Sequence, residues 1–170
     1  MTNQSWQIRR LQQSDVPQLL DIISGVRRDF GLATRVESLL ELGDHAILDV
    51  YRHRRSAYFV AVAETEIVGG AGIYPLANGD WATCELQRMY LRSQFRGQGI
   101  GPSLLNTCLD TACALGFEQC YAETIAEMTT AIAFYERNGF VRLAAPIGET
   151  GHSHNDIWMM LRMDRAQCPM

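Results

Sequence analysis

Residues 83–112 read TCELQRMYLRSQFRGQGIGPSLLNTCLDTA. The first nine, Thr83 to Leu91, are strand-like, and beyond the Gly-rich turn the apolar positions Leu104, Leu105, Cys108, Leu109 and Ala112 recur at helical spacing. The turn between them is Arg96, Gly97, Gln98, Gly99, Ile100 and Gly101. In a strand, Gly-rich turn and helix, consecutive backbone N–H groups and the helix dipole can hold an anion. Glycines let the backbone approach that anion, and Arg96 can add charge-assisted hydrogen bonds. A plain tight turn is the competing reading, so the flanking sequence decides. The turn is not a Walker loop, because no Gly-Lys-Ser/Thr follows. Nor is it the dinucleotide-binding fingerprint, because Leu104 stands where the third glycine belongs.

Working outward, the turn has two companions in the right order. Glu85 to Leu91 precedes it, and Ala131 with Phe134, Tyr135, Glu136, Arg137, Asn138, Gly139 and Phe140 follows it. With these the chain resembles the GNAT superfamily of N-acetyltransferases, whose cofactor signature Arg/Gln-x-x-Gly-x-Gly/Ala is matched by Arg96, Gly99 and Gly101. The motifs cover the second half of the chain. The resemblance implies an α+β fold with a mixed, mostly antiparallel sheet flanked by helices and splayed between its fourth and fifth strands.

The resemblance also implies acetyl-coenzyme A as co-substrate, an amine as acceptor and direct attack. The backbone of Met89, Tyr90 and Leu91 is then expected to hold the pantetheine arm and acetyl carbonyl. Arg96, Gly97, Gln98, Gly99, Ile100 and Gly101, with Ser103 in the helix start, are expected to hold the pyrophosphate. Met128, Ala131 and Phe134 complete the cofactor set. Met128 stands where many members carry an Asn that bonds the cofactor, and Pro102 suits a first helical turn but lacks an N–H. Both departures point to weaker cofactor binding.

Aminolysis of a thioester needs a neutral amine, a stabilised oxyanion and a proton for the leaving thiolate. By resemblance Tyr135 supplies that proton; an ordinary half-buried helix tyrosine is the alternative. Glu85 is the candidate general base, its pKa raised by burial, against a structural ion pair with Arg88. The oxyanion falls to a backbone N–H near Met89 to Leu91, where the family's strand bulges. Arg27, Arg28 and Phe30 sit where family members often shape the acceptor site; surface salt bridges are the alternative. His152, His154, Asn155 and Asp156, with Gly151, read as a solvated turn or an acceptor-pocket wall, and no metal is expected. A catalytically idle acyl-coenzyme A-binding or sensing module is the rival reading.

At 170 residues the chain fits one domain, 1–170. Its net charge of -4 argues against a basic nucleic-acid face, although Arg52, Arg54 and Arg55 make a local patch. All 15 basic residues are Arg. Five cysteines without CxxC spacing suggest neither a disulfide framework nor a zinc knuckle, and a reducing cytoplasm fits best. No signal-peptide or membrane-spanning run is present in the sequence. Homodimerisation, common in the family, is plausible without a visible interface.

The remaining elements follow from patterning. Strands are expected at Trp6 to Leu11, Tyr58 to Ala63, Ile67 to Tyr74, Gln119 to Glu123, Phe140 to Leu143 and Ile157 to Met163. Helices are expected after Ser14, around Val36 to Leu42, up to His53 and at Thr129 to Arg137. Asn138 and Gly139 are read as the left-handed residues that end the last helix.

Overall fold

The computed structural model describes residues 5–29, 46–151 and 155–164. The chain begins with β1 (Trp6–Arg10), a 3₁₀ turn (Gln13–Asp15) and α1 (Val16–Asp29). Asp15 ties these together: its carboxylate accepts from both Arg9 guanidinium nitrogens at 2.6 and 2.8 Å and from the Gln12 N–H at 2.8 Å. The short α2 (Ala46–Val50) leads to the hairpin of β2 (Ala57–Ala63) and β3 (Glu66–Pro75). β4 (Thr83–Leu91), α3 (Ile100–Ala114), β5 (Gln119–Thr124), α4 (Thr129–Arg137), β6 (Val141–Arg142) and β7 (Ile157–Arg162) follow. The helix expected at Val36 to Leu42 lies outside the described residues.

The strands form one sheet in the order β1-β2-β3-β4-β5-β7-β6. Every neighbouring pair is antiparallel except β4 with β5, which run parallel. This is the mixed, mostly antiparallel sheet that the resemblance implied. Strand alternation sorts the side chains between two layers. Ala57, Phe59 and Ala61 of β2 join Ile73, Cys84 and Leu86 beneath α3 residues Leu104, Leu105, Cys108 and Ala112. On the opposite face Tyr58, Val60 and Val62 pack with Leu19, Ile22, Ile23 and Val26 of α1 and Ile47 of α2. α4 joins the α3 side through Tyr135, with Phe140 just beyond it.

Boundaries agree closely where turn chemistry is strong: β4 and α4 match their expected limits. The expectation for Asn138 needs correction. Gly139 has φ 88° and is left-handed, but Asn138 is at φ -97° and caps α4 instead, its amide donating to the Phe134 carbonyl at 2.8 Å. The cysteine reading is also corrected in part. Cys84, Cys108 and Cys120 are free and buried, but Cys113 is disulfide-bonded; an odd count does not preclude one pair.

Arg55 is not part of a surface patch. Its guanidinium lies between the rings of Trp81 and Phe117, 3.7 and 3.8 Å from their centroids, and donates to the carbonyls of Leu115 at 3.2 Å and Trp81 at 2.9 Å. It thus closes the turn before β4 onto the loop before β5. Arg55→Ala is expected to lower unfolding free energy by about 3 kcal/mol, because two charged hydrogen bonds and two cation–π interactions disappear together. Urea denaturation measures this; a decrease below about 1 kcal/mol would contradict it.

Candidate active site

β4 and β5 begin as partners and then separate. Their register runs Thr83↔Gln119, Cys84↔Cys120 and Glu85↔Tyr121, and stops there. β4 continues to Leu91 and β5 to Thr124, so among the described residues six of β4, 86–91, have no strand partner on that side. On the other side β3 pairs Gly72 with Gln87 and Gly70 with Tyr90, leaving Arg88 and Met89 as a bulge. Arg88 takes φ 49°, a left-handed conformation rare for residues other than glycine. The Tyr58 hydroxyl holds the bulge in place by donating to the Arg88 carbonyl at 2.8 Å. The expected bulge near Met89 to Leu91 is therefore present, one residue earlier, and residues 89–91 lack sheet pairing toward β5.

Small residues on β3 make room for that arrangement. A Cβ on Gly72 would lie 2.5 Å from the Tyr58 ring and 2.8 Å from the Tyr51 ring. The Tyr51 and Tyr58 rings are themselves 5.0 Å apart, so this pair seats directly on the β3 backbone.

Glu85 sits at the fork and is 4 % exposed. Gln87 Nε2 donates to its Oε2 at 2.6 Å. The Gln87 oxygen in turn accepts from the Tyr51 hydroxyl at 3.0 Å and from Arg88 Nη1 at 3.1 Å. Burial raises the Glu85 pKa to about 7; the Gln87 bond opposes this, the Glu123 charge adds to it and Arg88 opposes it. The alternative of a direct Glu85–Arg88 ion pair is not what forms, since Arg88 donates to Tyr51 and Gln87. Desolvation likewise lifts Tyr51 to about 12, keeping it a phenol.

Tyr135 lies in the opposite layer, 8 % exposed, its ring 5.7 Å from Phe134 and 5.3 Å from Phe140. Burial holds its phenol well above the usual value, followed by the influence of Tyr90, Cys120 and Cys108. Cys84 and Leu86 point toward α3, so Glu85 and Gln87 point away from it. The two candidates therefore lie on opposite faces of the sheet.

Between the 3₁₀ turn Ser93–Phe95 and α3, Gly97 has φ 75° and Gly99, the N-cap of α3, φ 82°. Among the described residues the N–H groups of Gly97, Gln98, Gly99, Ile100 and Gly101 donate to no carbonyl, whereas that of Ser103 bonds Gly99 O at 3.2 Å. Five such donors at a helix start are an arrangement that can hold a phosphate-like anion, a candidate cradle. Pro102 falls in the first turn, where its missing N–H breaks no helical bond. Arg96 is exposed and donates to the Leu91 carbonyl at 3.3 Å, bridging cradle and β4. Ile100 is fully buried, so only its backbone can serve a ligand.

A Cβ on Gly101 would sit 3.5 Å from the Phe134 ring and 4.0 Å from the Met89 terminal methyl. Cradle, β4 and α4 thus converge, with Ala131 and Phe134 half-buried on α4 and Met128 as its N-cap. Gly99 tolerates no side chain at φ 82° without strain of about 1–2 kcal/mol. Gly99→Ala is accordingly expected to weaken coenzyme A binding about tenfold, and Gly101→Ala by less than about threefold. Isothermal titration separates them; equal losses would contradict the cradle geometry.

The other sequence candidates divide. Arg27 of α1 hydrogen-bonds Tyr90 on β4, while Arg28 is exposed and Phe30 lies outside the described residues. His152 and His154 also lie outside them; Asn155 donates to Glu123 at 3.1 Å, and Asp156 accepts from the Ala126 N–H at 2.8 Å. Among the described residues no group of His, Cys, Asp or Glu could hold a metal. No described helix is long and apolar enough to cross a membrane. Sequence reading missed Tyr51 and Gln87, which hydrogen-bond beside Glu85, and Glu123, which strand register brings to the same face.

A family model for the acetyltransferase (GNAT) family matches residues 22–140. The chain belongs to the GNAT family. It is 35% identical over 158 residues to the Escherichia coli (strain K12) protein called uncharacterized N-acetyltransferase YjgM, covering 92% of this chain and 95% of that one. In fold it is similar to a GNAT acetyltransferase of Staphylococcus aureus Mu50 (TM-score 0.83, 19% identity, 94% of this chain and 100% of that one). It is also similar to the PaiA N-acetyltransferase of Thermoplasma acidophilum, crystallised with coenzyme A (TM-score 0.72, 18% identity, 94% and 99%). GNAT membership accounts for a sheet that separates between β4 and β5.

Proposed function

We propose that this GNAT protein moves the acetyl group of acetyl-coenzyme A to an amine by direct attack in a ternary complex. The observation that carries the reading is the β4–β5 opening, with Glu85 on one face of the sheet and Tyr135 on the other. The N–H groups of residues 97–101 fit a pyrophosphate, and Arg96 adds charge to that end. The backbone of Met89, Tyr90 and Leu91 would hold the pantetheine arm, with Phe134, which meets Met89 at Gly101, and Ala131 and Met128 of the same helix as its further partners. Acetyl-coenzyme A, when bound, supplies an activated thioester carbonyl.

This chain's residues supply the rest. Glu85, with a pKa about 7, accepts a proton from the acceptor near neutral pH. The unpaired backbone beside the bulge offers N–H groups to a developing oxyanion. Tyr135, protonated at every working pH, donates to the departing sulfur. Cys84 and Cys108 are fully buried beneath α3, and burial pushes the Cys108 thiol far up, so neither serves as an acyl carrier. Steady-state kinetics varying acetyl-coenzyme A against amine test the ternary complex: intersecting reciprocal plots support it, and parallel plots would require a covalent intermediate.

A further inference from the structure

We infer that Glu123 selects the acceptor: its carboxylate, across the opening from Glu85, holds an incoming alkylammonium ion, so the preferred acceptors are amines that arrive protonated. This rests on the acetyl-transfer reading above.

Glu85 and Tyr121 are the last register pair between β4 and β5. Glu123 lies two residues beyond Tyr121 and shares its face, so it stands where the strands part, on the side of Glu85 and Gln87. Three neutral donors fix its carboxylate: the Tyr121 hydroxyl to Oε1 at 2.7 Å, and Thr150 Oγ1 and Asn155 Nδ2 to Oε2 at 2.9 and 3.1 Å. None of the ion pairs among the described residues involves it. Among the described residues this half-buried carboxylate is held by neutral donors and has no cationic partner.

Among the described residues the neighbouring charged groups are engaged elsewhere. Arg88, the cation on β4, donates to Tyr51 and Gln87. From β5, Tyr121 is kept a phenol, by desolvation first and then by its bond to Glu123. Glu85 feels the Glu123 charge and holds its proton more tightly for it. An ammonium between the two carboxylates supplies the missing positive charge. One N–H bond then breaks and one O–H bond forms on Glu85, leaving the nitrogen lone pair for attack. An acceptor with a carboxylate beside its amine would place a like charge near Glu123.

The test compares two small nucleophiles that any acceptor pocket admits: methylamine, an ammonium ion at neutral pH, and hydroxylamine, uncharged there. Thiol release from acetyl-coenzyme A gives kcat/KM for each. Glu123→Gln is expected to lower the methylamine value about tenfold and the hydroxylamine value less than twofold. The acid limb of the rate profile should move to lower pH, because the charge that raises Glu85 is gone. Glu123→Asp, which keeps the charge, should retain most of the preference. If Glu123→Gln does not fold, raised salt on the unaltered protein serves instead and should slow methylamine selectively. Equal effects on both nucleophiles, with an unmoved acid limb, would overturn the role of Glu123 alone. No turnover of either nucleophile or of any amine by the unaltered protein would remove the acetyl-transfer reading and this inference with it.

Discussion

Tyr135→Phe is expected to lower kcat about a hundredfold, at the low end of what a positioned general acid contributes, while KM for acetyl-coenzyme A stays within about twofold. The substitution removes one oxygen and leaves the ring, whose packing on Phe134 and Phe140 holds α4 against the α3 layer. Among the influences on the phenol there is no hydrogen bond, so no partner is orphaned by its removal. An effect confined to kcat therefore reports chemistry and not packing. Because burial holds the phenol well above its usual value, Tyr135 should contribute no limb to a pH–rate profile around neutrality. Unchanged kcat would make Tyr135 a core residue with no part in the reaction.

Glu85→Gln is expected to lower kcat/KM by about 10²-fold or more and to change its pH dependence. The active form of a general base is the deprotonated one. With a pKa of about 7, activity should climb as pH rises through that value and level off above it. The amide has no such titration, so the acid limb should vanish and the residual rate should follow only the ionisation of the acceptor. Gln87 donates to Glu85 through its own amide, and the carbonyl oxygen of the substituted side chain can still accept that bond, so the network with Tyr51 and Arg88 survives. A Glu85→Gln protein with the original profile would show that solvent, not Glu85, removes the proton.

How far these residues were legible in the sequence depended on how local their signal was. The cradle was readable because Gly97 and Gly99 are needed for φ values of 75° and 82°, and Gly99 leads directly into a helix. β4 and α4 were bounded correctly because turn residues flank apolar periodicity on both sides. Glu85 was singled out as a candidate base from its place in a strand, but nothing in Thr83 to Leu91 alone says that this carboxylate sits at a fork. That Glu85 and Glu123 share a face where the strands part depends on where parallel pairing ends, a register that no single strand encodes. Tyr51 and Gln87 were missed for a related reason: they are 36 positions apart and meet only because Gly72 lets the tyrosine ring lie on β3. Arg55 was misread as surface charge because its partners, Trp81 and the Phe117 ring, come from distant turns.

The most direct measurement is thiol release from acetyl-coenzyme A by the purified protein across a broad panel of amines, with Tyr135→Phe in parallel. The account predicts release with at least one class of amine, falling about a hundredfold in the Tyr135→Phe protein. Tight binding of coenzyme A without release on any amine would contradict it and leave a module that binds the cofactor without turning it over.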